Sequence, residues 1–254
     1  MRYQRILQSL NTDGAVKASE LAAELGTSYE TIRRDLAHLE SKGLLRRSAG
    51  GAVLCSNPVP EPAPYQQFRQ RSTLNPAHKH DIAELASRYI SESDVIALDS
   101  GSTALFLAQA VREKLSRLTV VTNSLAIANE LAQKEGFTLI LTGGVYRPDE
   151  GSLVTDSNVS VLSQINIHTF FLTTCGLSIE KGITYQRTDE IPVQKRMMEC
   201  AERTIAIADS SKLGMNSLIK MCEIDAISCI LTDADATAEQ VKPFIAHGIP
   251  VVKS

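Results

Sequence analysis

The sequence predicts an α/β protein in which a small helical N-terminal domain precedes a larger domain with an open, largely parallel sheet. Three helical patterns come first, the last two closely spaced, and a proline-rich run then interrupts the chain at residues 57–64. From residue 75 onward, short apolar runs alternate with amphipathic helices, which is typical of a parallel sheet covered on both faces. We therefore expect domains at 1–56 and 75–254, joined by a Pro-rich linker at 57–74.

The N-terminal domain begins with three helical patterns. Residues 2–10 and 18–25 each place apolar side chains on one face. The third helix is predicted to begin at Ser28, because Thr27 and Glu30 have the spacing of a capping box. The second and third helices are joined by a tight turn, and they have the spacing of a helix-turn-helix motif. The apolar stripe of the second of these two helices consists of Ile32, Leu36 and Leu39.

A basic segment follows, and residues 44–47 and 52–55 are predicted to pair as a hairpin, with a short strand at Val16 beside it. Together these elements indicate a winged helix-turn-helix, whose second helix enters the major groove while flanking cations contact phosphates. Residues 1–55 carry eight Lys and Arg against six Asp and Glu, whereas the whole chain has a net charge of -3. A helical bundle with a solvated charged face is the alternative. The predicted DNA contacts are Ser28, Tyr29, Thr31, Arg33, Arg34, Arg46 and Arg47.

The second domain is predicted to alternate helices and strands. Asn75 and Pro76 suit the start of its first helix. Strands are expected at 95–99, 118–123, 137–144, 168–174, 204–209, 226–232 and 250–252, and helices at 105–115, 127–131, 192–201 and 239–247. In open parallel sheets, ligands bind beyond the carboxyl ends of the strands, so those ends are where a binding site is expected.

Polar residues follow four of these strand ends. The first is followed by Asp99, Ser100, Gly101, Ser102 and Thr103, the second by Thr122, Asn123 and Ser124, the third by Gly143, Gly144 and Arg147, and a later one by Asp209 and Lys212. The first loop runs into a helix, so its main-chain N–H groups and hydroxyls can converge on an anion, although it lacks a Walker A lysine and a GxGxxG pattern. Each motif alone has another explanation, as a helix cap, a turn or a surface ion pair. Together they suit a small phosphorylated sugar or polyol.

Two groups of motifs resemble a known family. TIRRDL, a following Gly, a basic pair and GGA at 50–52 resemble the N-terminal signature of the DeoR family of bacterial transcriptional repressors, with Ala49 where members commonly carry His. LDSGST, VTNS, LTGG and ADSSKLG resemble its sugar-phosphate sensor half, whose fold is similar to Rossmann-like ribose-5-phosphate isomerase. The resemblance implies that the 99–103 loop holds the phosphate and that Asn123, Arg147, Asp209 and Lys212 line the pocket, with Lys79, Glu190 and Lys195 near it.

We expect a DNA-binding repressor of a carbohydrate-utilisation operon, controlled by a sugar phosphate and not itself an enzyme. The alternative is a sugar-phosphate isomerase or lyase with a fused DNA-binding head, in which Asp99, Glu190, or Asp209 with Lys212 would supply the base. An activator or architectural DNA binder would leave the pocket unused. One short recognition helix covers few base pairs, so a homodimer or homotetramer is expected.

Composition and cysteine content limit the classes of protein to which the chain can belong. The chain is 43% hydrophobic and 22% charged, which is typical of a soluble globular protein, and it has no apolar run of about 18 residues and no signal-peptide pattern. We therefore expect a cytoplasmic protein. Its five cysteines form no CxxC, and His78 and His80 have no further ligands nearby in sequence, so neither a metal nor a cofactor is expected.

Overall fold

A computed structural model describes residues 2–13, 15–41, 45–48, 50–54, 67–155 and 162–254. The chain divides into two compact units, Met1–Ala63 and Pro64–Ser254. The predicted proline-rich run at 57–64 lies outside the described residues. Within the described part of the chain, no helix combines the length and the apolar character that crossing a bilayer requires.

The first unit is a winged helix-turn-helix, as predicted. Its elements are α1 (Arg2–Asp13), β1 (Ala15–Lys17), α2 (Ala18–Glu24), α3 (Tyr29–Ser41), β2 (Leu45–Ser48) and β3 (Gly51–Leu54). The strands form an antiparallel sheet in the order β1-β3-β2, and Ser48 pairs with Gly51 across the hairpin. The predicted stripe of α3 is buried, and it packs with Ile6, Leu10, Leu21 and Leu45 in one core.

The start of α3 differs from the prediction by one residue. Ser28 is the capping residue, because its Oγ accepts a hydrogen bond from the Thr31 N–H at 3.2 Å. The Thr27 N–H donates to the Ala22 carbonyl at 3.0 Å, so the backbone of Thr27 still belongs to the end of α2. Glu30 lies 3.3 Å from Arg33 in an ion pair. The predicted capping box at Thr27 is therefore wrong.

The second unit has a seven-stranded sheet in which every pair of neighbours is parallel. The strand order is β15-β14-β12-β9-β4-β5-β6. These strands are β4 (Val95–Leu98), β5 (Leu118–Thr122), β6 (Phe137–Leu141), β9 (Ile167–Leu172), β12 (Ala201–Ile207), β14 (Cys229–Thr232) and β15 (Val251–Lys253). The helices are α4 (Phe68–Thr73), α5 (Pro76–Ser87), α6 (Ser102–Lys114), α7 (Leu125–Leu131), α8 (Ile191–Glu199) and α9 (Ala238–Ala246).

Successive residues of the central strands enter two different cores, one on each face of the sheet. Ile96 and Leu98 of β4 pack on the α5, α6 and α7 side, whereas Ala97 packs on the side of α8 and α9. Phe170 and Phe171 of β9 divide in the same way. The predicted sheet, buried on both faces, is confirmed.

Three features were not predicted from the sequence. A hairpin of β7 (Val145–Arg147) and β8 (Ser152–Val154) follows β6. A second antiparallel sheet contains β10 (Gly176–Ser178), β11 (Gly182–Tyr185) and β13 (Ile219–Cys222). Helix α4 lies within the stretch predicted as linker, where the Phe68 N–H donates to the Asp149 carbonyl at 3.0 Å. The strands of the hairpin and of the second sheet are only three or four residues long, so their sequences show no clear alternation of apolar and polar residues.

Candidate functional site

The loop after β4 is organised around the carboxylate of Asp99, which is fully buried. Its Oδ1 accepts hydrogen bonds from the Ser100 N–H at 2.8 Å and from Gln194 Nε2 at 3.0 Å. Its Oδ2 accepts from the N–H and hydroxyl of Thr173, at 3.2 and 2.5 Å, and from the Tyr185 hydroxyl at 3.2 Å. Because protein donors occupy both oxygens, Asp99 is placed to hold the loop. This differs from the ligand contact expected for it.

The rest of this loop forms the start of α6. A Cβ atom on Gly101 would lie 2.1 Å from Thr173 Oγ1, so only glycine fits there without displacing that hydroxyl. Ser102 and Thr103 are buried in the first turn of α6. The first N–H groups of a helix have no intrahelical acceptor and carry partial positive charge. Residues 101–103 are therefore a candidate anion site.

The loop after β5 offers one side chain with unused hydrogen-bonding capacity. Thr122 Oγ1 donates to a carbonyl of β4 at 2.8 Å, and Ser124 Oγ caps α7 by accepting an N–H. The amide of Asn123 reaches Ser100 Oγ at 3.4 Å. Its Oδ1 is buried and has no hydrogen-bond partner among the described residues. Thr122 and Ser124 shape the loop, and Asn123 is the residue of the three that can accept from a ligand.

The loop after β6 turns the chain into the β7–β8 hairpin. Gly143 and Gly144 have φ values of +74° and +118°, which favour glycine, and a Cβ on Gly144 would lie 2.4 Å from the Val154 carbonyl oxygen. Arg147 Nε pairs with Asp189 Oδ2 at 3.0 Å. The glycines thus determine the turn, and Arg147 already has an acidic partner.

Three basic residues gather near Asp209, the carboxylate that follows β12. Lys79 is buried, and its ammonium donates to the carbonyls of Arg71 and Leu74. Burial lowers the pKa of Lys79; the charge of Asp209 opposes this, whereas those of Lys212 and Arg71 lower it further. The structure therefore brings the predicted Lys79 and Lys212 together and adds Arg71, which the sequence analysis missed.

Two buried carboxylates lie beside these cations. Arg71 donates to Glu150 Oε2, while Glu150 Oε1 is buried without a partner in the part of the chain that the structure describes. Burial raises the pKa of Glu150 to about 8, and the charge of Glu190 adds to that effect, whereas the charge of Arg187 opposes it. The direct contact with the Arg71 guanidinium favours the ionised form of Glu150. Burial, followed by the charge of Asp99, raises the pKa of Glu190 to about 7. Such a carboxyl group can gain or lose a proton near neutral pH.

Helix α8 presents Gln194 to this site, and not the predicted Lys195. Gln194 is buried against Asp99, whereas the neighbouring Lys195 is exposed and lines a groove with Lys220 and Cys222. Adjacent residues of a helix point about 100° apart, so the two side chains cannot share one site.

Burial raises the pKa of the Cys175 thiol, which disfavours the nucleophilic thiolate form.

The structure brings two carboxylates to His78, where the sequence analysis found no ligand set. His78 Nε2 lies 3.0 Å from Asp235 Oδ2, and Nδ1 lies 3.8 Å from Asp233 Oδ2. These three residues could hold a metal ion, since one ligand atom of each lies within 4.8 Å of the others. However, Asp233 also accepts the N–H groups of Ser210 and Asp235. The arrangement fits an ion-pair contact between α5 and the loop after β14.

The first unit exposes the N-terminal part of α3. Tyr29, Arg33 and Arg34 are exposed, and both arginines lie within 4.0 Å of Glu30. The hydroxyl of Thr31 lies 2.8 Å from that of the capping Ser28. This face carries two cations, an aromatic ring and hydroxyls, which is the composition expected for contacts with bases and phosphates.

On the wing, Arg47 contacts α3. Its Nε lies 3.3 Å from Glu40 Oε2, and its main-chain N–H donates to Glu40 Oε1 at 2.8 Å. The side chain of Arg46 lies outside the described residues. Below α3, Arg2 makes a two-bond contact with Asp35, with distances of 2.5 and 3.1 Å, and so fixes α1 against α3.

Comparison with known proteins identifies the family. Residues 2–58 match the DeoR-like helix-turn-helix domain, and residues 74–234 match the DeoR C terminal sensor domain. The chain is 33% identical over 251 residues to a putative aga operon transcriptional repressor of Escherichia coli O157:H7, covering 99% of this chain and 92% of that protein. It is 34% identical over 251 residues to the L-fucose operon activator of Haemophilus influenzae, covering 99% and 98%.

Among solved structures, ribose 5 phosphate isomerase A from Neisseria gonorrhoeae is similar at 16% identity, over 55% of this chain and 52% of that chain, with a TM-score of 0.40. That likeness is too low to carry an argument about activity. The matches to both family domains and the full-length relatives carry the assignment. The chain belongs to the DeoR family and is a DNA-binding transcriptional regulator.

Proposed function

We propose that the second unit binds a phosphorylated sugar or polyol and that this binding controls the affinity of the winged unit for DNA. The observation that carries the proposal is the anion site at residues 101–103, at the same sheet edge as Lys79 and Lys212. A phosphate needs N–H donors and cations, and the start of α6 together with these lysines supplies both. The effector is the only ligand proposed, with no cofactor.

Unpaired acceptors at the same edge support a ligand with hydroxyl groups. Asn123 Oδ1, Glu150 Oε1 and Gln194 Oε1 are buried without hydrogen-bond donors from the described residues. Buried acceptors are costly unless a donor reaches them, and the hydroxyls of a sugar are donors. Asn123 is held beside Ser100 and Gln194 beside Asp99, so both lie next to the proposed phosphate site.

We infer that the protein is cytoplasmic and that it represses a carbohydrate-utilisation operon. The relatives support a sugar operon, since their names refer to the aga and L-fucose operons. One relative is named a repressor and the other an activator, so their names do not decide between repression and activation. We propose repression because the motifs resemble those of the DeoR repressors. We assign DNA contact to residues 1–56, the linker role to 57–74 and effector binding to 75–254, with α4 packed on the effector-binding unit.

The experiment is a thermal-shift screen of the full-length protein with phosphorylated sugars and polyols, each beside its unphosphorylated counterpart. Phosphorylated compounds should raise the unfolding temperature and change DNA affinity by linkage, whereas their counterparts should not. Lys212→Ala should lose the response. Equal shifts from both members of each pair would contradict phosphate recognition.

A second candidate function is isomerisation of the bound sugar phosphate. Glu190 favours it, because a buried carboxyl group with a pKa of about 7 suits a general base. We propose a sensor without turnover, since Asp99 is fully engaged in holding its loop. NMR of a bound sugar phosphate in deuterated water decides: deuterium appearing beside the carbonyl carbon, and lost in Glu190→Gln, would establish the enzyme.

We also propose that the second unit associates with a copy of itself, giving a homodimer or homotetramer. Strand β6 is the last of its sheet, and Leu141, Val145 and Tyr146 beside it are exposed. Exposed apolar edge strands favour pairing with another chain. Val145→Asp should shift the full-length protein to a smaller species in sedimentation, whereas Leu218→Asp, at an even more exposed apolar position elsewhere, should not. A parent that sediments as a monomer would contradict this proposal.

A further inference from the structure

Helix α4 joins the second unit at the point where the chain arrives from the winged unit. It is the first described element of the unit Pro64–Ser254. The Phe68 N–H donates to the Asp149 carbonyl, and the buried Phe68 ring lies beside Gly151. The start of α4 is therefore attached to the turn between β7 and β8.

A charged contact fixes the middle of α4 to the same turn. Arg71 donates to Glu150 Oε2, and the Glu150 side chain is almost completely buried. The ammonium of Lys79 donates to the carbonyls of Arg71 and Leu74, which holds the end of α4. Helix α4 is thus held to Lys79 through its main-chain carbonyls and to Glu150 through the Arg71 side chain.

Position and charge both place Arg71 at the same edge of the sheet as the anion site. Helix α4 packs against α6, whose N-cap is Gly101 and whose first turn contains residues 102–103. The charge of Arg71 acts on Lys79, Cys175 and Glu190, all at this edge of the sheet. A guanidinium binds a phosphate with two parallel hydrogen bonds, as it binds a carboxylate. Glu150 is therefore paired with a guanidinium that is suited to bind an anionic ligand.

We propose that Arg71 is a ligand of the effector phosphate and that Glu150 takes the place of that phosphate in the effector-free protein. The inference rests on the proposed function. A bound phosphate takes Arg71 from Glu150, and the contact that holds α4 to the β7–β8 turn is lost. Because α4 begins where the chain arrives from the winged unit, this exchange of partners is the first step by which the effector acts on DNA binding.

The test measures binding of inorganic phosphate and of glycerol 3-phosphate to the full-length protein at constant ionic strength. Glu150→Gln removes the competing charge but keeps the shape, so both probes should bind about tenfold more tightly. Arg71→Gln should weaken them about tenfold or more. Arg69→Gln, the same charge change on an exposed position of α4, should bind like the parent. A gain of affinity in Glu150→Gln cannot arise from misfolding.

Amide hydrogen exchange over residues 67–74 tests the second half of the proposal. Phosphate should increase exchange there in the parent, and Glu150→Gln should show the increase without phosphate. If the parent binds a probe and Lys212→Ala loses it, yet the Glu150 and Arg71 variants bind like the parent, this inference is overturned and the proposed function stands. If neither these probes nor any screened sugar phosphate binds the parent, the proposed function fails, and this inference fails with it.

Discussion

Replacing Asp99 by Asn tests whether this carboxylate holds the site together or contacts the effector. The change keeps the shape but turns one acceptor oxygen into an NH2 group. Hydroxyls and the Gln194 amide can rotate to accept from that group, but the main-chain N–H groups of Ser100 and Thr173 cannot. Whichever oxygen is replaced, one buried N–H loses its acceptor, and the remaining bonds lose their charge assistance.

An unsatisfied buried N–H costs about 1–3 kcal/mol, and with the weaker remaining bonds we expect a loss of about 3 kcal/mol in the free energy of unfolding. Urea unfolding of the full-length protein, followed by circular dichroism and by exchange of the β4 and β9 amides, measures it. Asp81→Asn, an exposed position on α5, should change stability by less than about 0.5 kcal/mol. A loss below about 1 kcal/mol in Asp99→Asn, together with a large loss of sugar-phosphate affinity, would refute the holding role.

Three further predictions concern the two units. Gly101→Ala should abolish the response to effector while operator binding persists, because its Cβ would lie 2.1 Å from Thr173 Oγ1; a normal response in fluorescence anisotropy would contradict this. Arg34→Ala should weaken operator binding by about 1–3 kcal/mol relative to random DNA, whereas Arg47→Ala should weaken both alike and lower the salt dependence; equal anisotropy losses for the two variants would contradict the assignment. Since the pKa of Glu190 is raised from 4.5 to about 7, the folded state retains a proton that the unfolded state loses, so the free energy of unfolding falls as pH rises from 4.5 to about 7. In thermal unfolding, Glu190→Gln should reduce this dependence of the unfolding temperature on pH. The same pH dependence in the parent and the variant would contradict the prediction.

The fold could be predicted because its signals are local. The α3 stripe of Ile32, Leu36 and Leu39 repeats at helical spacing, and each central strand is an apolar run bounded by polar residues. Strand ends were placed within a few residues, and the parallel arrangement brought the loops after β4, β5, β6 and β12 to one edge. The strand pattern alone therefore predicted the sheet edge at which the candidate site lies.

The roles of individual residues depended on contacts that sequence distance hides. The donors to Asp99 from Thr173, Tyr185 and Gln194 are 74, 86 and 95 residues away, so nothing near Asp99 indicated that its oxygens are occupied. Arg71 was missed because α4 is a six-residue helix without a clear apolar stripe. The family resemblance favoured Lys195, but the turn of α8 directs its neutral neighbour Gln194 to the site.

The hydrogen bonds between Asp99 and Thr173 join β4 and β9, which are neighbours in the sheet although β5 and β6 lie between them in the sequence. During translation β4, β5 and β6 leave the ribosome first, and β4 keeps an unpaired edge until β9 has been synthesised. The loop at 99–103 is therefore complete only in a chain whose second half has docked. That loop is incomplete in a nascent or truncated product, so a ligand that binds there would select finished chains and protect them from proteolysis by mass action.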